Sequence, residues 1–176
     1  MQIAEGGGRS DYQEVMRALG ALADERGMRE LALLELADGF LLQGLAPRTD
    51  ESRWSESAGQ VVRLSVQLGE PELEMLVTEV AARRDSGRPP PEQVPSVFYE
   101  PALRIIGRYA DEQKARGLLL LEQDHAFVVR LLVAARLGPR HELAEFTRDE
   151  MAALIAGASE LRGKASFESS ILDPIR

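Results

Sequence analysis

The sequence predicts an α+β fold: a tandem internal duplication of an α-β-β-β-α unit, whose copies join in a pseudo-twofold antiparallel sheet of about six strands packed by helices. Three observations lead there. Residues 12–45 written above residues 99–132, an offset of 87, match without a gap. Each copy passes from an apolar stripe of helical period to short runs of strand character. Between the copies stand Pro89, Pro90, Pro91 and Pro95, which forbid helix interior and ladder hydrogen bonding.

Thirteen of the 34 aligned positions are identical, among them Tyr12/Tyr99, Arg17/Arg104, Gly20/Gly107, Asp24/Asp111, Glu25/Glu112, Arg29/Arg116, Glu35/Glu122 and Phe40/Phe127. Shared composition does not give that many, and a repeated supersecondary unit does. At an offset of 78, Glu72, Leu73, Leu76 and Val77 fall over Glu150, Met151, Leu154 and Ile155, so the first copy holds nine extra residues in its middle. The expected layout is a flexible N-terminus at 1–10, copy one at 11–85, a proline-rich linker at 86–97, copy two at 98–163 and a polar tail at 164–176.

The elements follow in order. Ser10 with Gln13 reads as a capping box, after which Tyr12, Val15, Met16, Leu19 and Ala23 recur at helical spacing. In the second copy Tyr99, Ala102, Leu103, Ile106 and Ala110 repeat the stripe, and Pro101, tolerable only in a first turn, sets the helix start near Tyr99. Residues 31–36 and 118–121 are apolar at successive positions, which predicts central strands covered on both faces. Asp38-Gly39 is a two-residue hairpin signal, with Asp124-His125 in the corresponding place. Return strands are expected at 40–45 and 127–133. Val62, Leu64, Val66 and Leu68 alternate with Arg63, Ser65 and Gln67, a strand with one dry and one wet face. Its counterpart at 141–146 reads as shorter and weaker. Closing helices are expected near 70–84 and 148–162, the second opened by the capping box Thr147-Arg-Asp-Glu150. As an order of elements, the unit is similar to half of the fold of type III secretion chaperones and related regulators, with no shared sequence motif.

Each unit alone would leave a sheet edge unpaired and an apolar helix face bare. With 176 residues the joined chain can remove roughly 70% of its unfolded surface from water without a metal or disulfide. Its composition, 44% hydrophobic and 28% charged, is that of ordinary globular proteins.

The 21 basic and 29 acidic residues give a formal charge of −8, which argues against a surface that tracks phosphates. There is no cysteine, hence no thiolate ligand or thiol nucleophile. Residues 1–8 lack a basic segment followed by an apolar one, and apolar runs such as 131–135 are far shorter than the ~20 residues of a membrane span. A cytoplasmic protein is expected.

Five charged positions shared by both copies, Arg17/Arg104, Asp24/Asp111, Glu25/Glu112, Arg29/Arg116 and Glu35/Glu122, form either a two-fold charged site or a set of structural ion pairs, and the ion pairs are favoured. Asp24 and Glu25 stand in a last helical turn, where the macrodipole disfavours negative charge, so Arg29 and Arg116 are expected to compensate. Gly20 and Gly107, costly inside helices by about 1 kcal/mol relative to Ala, predict close backbone packing, with the approach of a ligand as the alternative. Gly6-Gly7-Gly8 has neither the preceding strand nor the Lys-Ser/Thr of a phosphate loop. His125 and His141 lack partners at ligand spacing, and Glu122, Asp124 and His125 read as a solvated turn rather than a metal site. No catalytic, cofactor or metal residue is assigned. Trp54, the single tryptophan, lies in the loop at 47–59 that holds the extra residues; it is a weak candidate for partner contact, a lid over its own sheet being the alternative.

These features predict a non-enzymatic protein- or peptide-binding scaffold, adaptor or chaperone-like protein. The alternative is a small-molecule sensor or enzyme with a pocket at the seam between copies, using Glu35/Glu122 and Arg17/Arg104. The expected partner is a protein or peptide, a homodimer is allowed, and no cofactor, nucleic acid or membrane partner is expected.

Overall fold

The first helix forms where the sequence places its stripe. α1 (Tyr12–Glu25) buries Tyr12, Val15, Met16, Leu19 and Ala23 on one face. The computed structural model describes residues 11–47, 60–87 and 99–157. Trp54 with most of its loop, the prolines at 89–95, Ser10 with the N-terminal residues, and the tail from 158 onward lie outside them. The cap of α1 is Asp11, not Ser10: its carboxylate accepts from Gln13 N at 3.1 Å.

Beyond α1 the chain runs through β1 (Arg29–Leu36), β2 (Gly39–Pro47), β3 (Val61–Gly69) and α2 (Glu70–Asp85). From Tyr99 it repeats that order as α3 (Tyr99–Glu112), β4 (Ala115–Glu122), β5 (Ala126–Ala135), β6 (Gly138–Thr147) and α4 (Arg148–Ile155). Both α1 and α3 end in a left-handed residue, Gly27 at φ 59° and Lys114 at φ 54°, that turns the chain toward the sheet.

The strands form a six-stranded antiparallel sheet in the order β3-β2-β1-β4-β5-β6. Its centre is the pairing of β1 with β4, where Leu33 faces Leu120, Ala32 faces Leu121 and Leu34 faces Leu119. Outward from that pair each side meets a hairpin partner and then an edge strand. The β1–β2 turn is Ala37-Asp38, with Gly39 already paired to Leu36. A side chain on Gly39 would run into the Leu68 carbonyl of β3, so the position requires glycine.

Among the described residues the helices pack on one face of the sheet. Leu31, Leu33, Phe40, Leu42, Leu118, Leu120, Phe127, Val129, Leu131 and Phe146 join Met16, Leu19, Leu103, Ile106, Leu73 of α2 and Met151 of α4 in one hydrophobic core. Two aromatic pairs fasten its second side edge to face, Tyr99 on Phe127 at 6.4 Å and Tyr109 on Phe146 at 5.5 Å between centroids. The expectation that β1 and β4 are covered on both faces is therefore corrected. The next residues along, Leu34 and Leu121, are each 40% exposed on the opposite face.

Two further expectations change. β6 has ten residues and pairs along the whole length of β5, because Pro139 and Gly138 lie at an edge that needs no second partner. α4 stops at Ile155, well before 162, with Gly157 at φ 72° after it. The capping box at Thr147 stands as expected, with Glu150 N donating to Thr147 Oγ1 at 3.2 Å and Thr147 N donating to Glu150 Oε2 at 3.4 Å. Among the described residues no helix is long and apolar enough to cross a membrane.

α1 and α3 lie antiparallel across the sheet, close enough that their backbones touch at glycine. A Cβ built on Gly20 stands 2.5 Å from the Tyr99 carbonyl oxygen and 2.7 Å from Glu100 Cα; one on Gly107 runs into the Tyr12 carbonyl and stands 2.7 Å from Gln13 Cα. In an ordinary helix interior Gly→Ala stabilises by about 1 kcal/mol. Here the opposite is expected: Gly20→Ala and Gly107→Ala should each destabilise by about 1–3 kcal/mol through overpacking, read as a lower urea midpoint. A gain in stability for either would contradict the close approach.

Candidate binding surface

The shared charged residues gather at the seam between α1 and α3. Asp24, in the last turn of α1, does not face Arg29. Its two carboxylate oxygens accept from the first backbone amides of α3, Tyr99 N at 2.8 Å and Glu100 N at 3.0 Å. Asp111, in the last turn of α3, accepts from Tyr12 N and Gln13 N of α1, both at 2.9 Å. Each helix thus lends a carboxylate to the amino terminus of the other, where unpaired N–H groups and the positive end of the dipole favour it. The same placement corrects the role expected of Arg29 and Arg116. Glu25 instead meets Arg83 of α2 at 3.5 Å, and Glu112 meets Arg108 at 3.6 Å.

The first residue of each helix is also tied to the sheet. Tyr12 donates its hydroxyl to Glu35 at 2.7 Å, and Tyr99 to Glu122 at 2.6 Å. Glu122 accepts Leu31 N at 2.9 Å as well, which ties β4 to β1. Burial raises the Tyr99 hydroxyl pKa, and the Glu122 carboxylate beside it adds to the effect. Arg17, nearly buried, contacts Glu14 at 2.9 Å and Glu100 at 3.3 Å, the latter an ion-pair contact without hydrogen-bond alignment at Nε. Of the groups named for a seam pocket, Glu35 and Glu122 are engaged with the two tyrosines, and Arg17 with Glu14 and Glu100. Glu122 points into this network while Asp124 and His125 sit in the exposed β4–β5 turn, so those three do not converge.

The open face of the sheet is a different kind of surface. Its rows follow from the ladder register. One runs Ser65, Gln43, Ala32, Leu121, Val128, Glu145 from β3 to β6. The next runs Gln67, Leu41, Leu34, Leu119, Arg130, Leu143. Leu45 and Leu132 extend the rows at either end. The middle strands are thus leucine-rich, while β3 and β6 contribute mostly polar side chains. Antiparallel sheets with one solvated face ordinarily alternate apolar and polar residues along every strand. β3 does so, and the central strands do not. The signal for this face in the sequence is the run of apolar residues on both alternating sets of β1 and β4.

The sequence matches no protein-family model, no curated protein and no solved structure.

The seam generates a pH dependence. Burial is the main cause that pushes the Asp111 carboxyl from its ordinary 3.8 up to about 6; the neighbouring Asp11 carboxyl adds to it, and the Gln13 and Tyr12 amides oppose it. Asp24 shifts in the same direction for the same first cause. Because the folded chain holds this proton more tightly than the unfolded chain, the Asp111 contribution to stability is present below pH 3.8 and is lost as pH rises through about 6. Asp111→Asn removes that titration. The stability of the parent minus that of the variant, from urea unfolding at fixed pH, should fall across this window; a difference independent of pH would contradict the assignment.

Proposed function

We propose that this chain is a non-enzymatic protein-binding scaffold, of adaptor or chaperone-like character, built by internal duplication as an intramolecular pseudo-dimer whose binding surface is the open face of the sheet. The duplication is supported by the sequence match at offset 87 and by contacts that recur at that spacing. Tyr12–Glu35 and Tyr99–Glu122 recur in this way, as do Asp24 on the start of α3 and Asp111 on the start of α1, and the contacts at Gly20 and Gly107.

The observation that carries the binding role is the distribution of side chains on the open face. Leu34, Leu41, Leu119, Leu121 and Val128 dominate its middle strands, interrupted by Gln43 and Arg130, and the margins carry Ser65, Gln67 and Glu145 beside Leu143. A largely apolar centre between mostly polar margins resembles the anatomy of a protein interface, and leucines grouped on an exposed face mark interaction sites more often than leucines scattered singly. A cytoplasmic setting suits a chain without cysteine.

The test compares the full chain with Leu34→Glu/Leu121→Glu as baits in the cell of origin, after circular dichroism has shown equal folding. A protein captured reproducibly by the parent, a second copy of the chain included, and lost from the variant is the expected result. Identical capture by both baits would overturn the assignment of this face.

A further inference from the structure

Resting on the reading that the open face binds protein, we propose that its partner is the same face of a second copy of this chain, so that two sheets pack face to face about a twofold axis lying along the strands. Size, charge and the order of the rows support this occupant.

The leucine-rich band crosses β2, β1, β4 and β5. At about 4.8 Å between strands their axes span ~14 Å, before side chains are counted. A helix about 10 Å across or a single added strand would leave part of the band bare, whereas a second sheet of equal width covers it. Six strands by five residues present roughly 29 Å by 17 Å, about 500 Å² in projection. Two copies together bury ~1,000 Å² even as flat surfaces, before side-chain relief is counted, which reaches the lower bound for a biological interface.

The chain carries −8, so two copies repel at a distance. The regularly paired outward positions of the sheet nevertheless hold Arg63 and Arg130 against Glu145, which keeps the acidic surplus away from the contact. The proposed axis places β3 of one copy over β6 of the other. Glu145 then lies over Ser65 of the facing margin, with Arg63, opposite in sign, one row along at both ends of the interface, and Arg130 lies over Leu41 with its stem on the apolar band. In the centre it sets Ala32, the small outward residue of β1, against Leu121, and Leu34 against Leu119, so that small meets large in one row of a sheet-on-sheet packing.

Sedimentation equilibrium of the full chain at micromolar concentration tests the proposal. The expected mass is twice the 19.4 kDa of one chain, with Leu34→Glu or Leu121→Glu weakening the dimer tenfold or more. Gln43→Glu, at a more polar position that carries less risk to folding, should weaken it in the same direction. Arg63→Glu should weaken it, and adding Glu145→Arg should restore it. A folded parent that stays monomeric would overturn the proposal, as would a dimer indifferent to all of these changes. The two readings separate cleanly. If the parent is monomeric yet loses a different captured protein on Leu34→Glu/Leu121→Glu, the binding face stands and the self-partner fails; if the face variants change neither association nor capture, both fail.

Discussion

The structure depends on the contact between α1 and α3, two antiparallel helices whose backbones meet at Gly20 and Gly107 and whose ends exchange carboxylates. An aspartate in the last turn of an isolated helix faces the negative end of the dipole and destabilises it. Antiparallel packing reverses that. Asp24 and Asp111 each stand at the amino terminus of the neighbouring helix, where two N–H groups need acceptors. The exchange works only if the helices are close, and the close approach is possible only without side chains at the two glycines. Backbone packing and electrostatics are therefore a single constraint, and neither half of it survives separating residues 11–87 from residues 99–157.

The sheet takes its central pairing from the same constraint. Tyr12 and Tyr99 stand at the start of the two helices, and their hydroxyls reach Glu35 at the end of β1 and Glu122 at the end of β4. Glu122 in turn accepts an amide of β1. The seam above and the β1–β4 ladder below are thus linked by half-buried hydrogen bonds that fix where one side sits on the other. Every core side chain of the strands points toward the helices. On the opposite face Leu34 and Leu121 are each 40% exposed.

Much of this was legible in residues. The stripe of α1 and α3, the alternation of β3 and the cap at Thr147 are local patterns, and local patterns survive into structure. Gly20 and Gly107 could be read as a packing device because close backbone contact offsets the cost of glycine in a helix. The partners of Asp24 and Asp111 could not be read, since the amides they meet are 75 or more residues away; sequence spacing pointed to the nearer arginines. The open face was misread for a related reason. Apolar residues on both faces of β1 and β4 record that both faces want cover, but not whether the cover belongs to the same chain. Lys114 gave no signal: its left-handed backbone is set by the turn after α3, where the corresponding residue after α1 is Gly27.

If the seam makes one cooperative unit, strands on its two sides must open together. Native-state amide hydrogen exchange measures this directly. For Leu42 of β2 and Val129 of β5, both fully buried on opposite sides of the seam, the account predicts equal opening free energies that match global unfolding by urea. A gap of several kcal/mol, with one side exchanging through its own opening while the other stays closed, would contradict it.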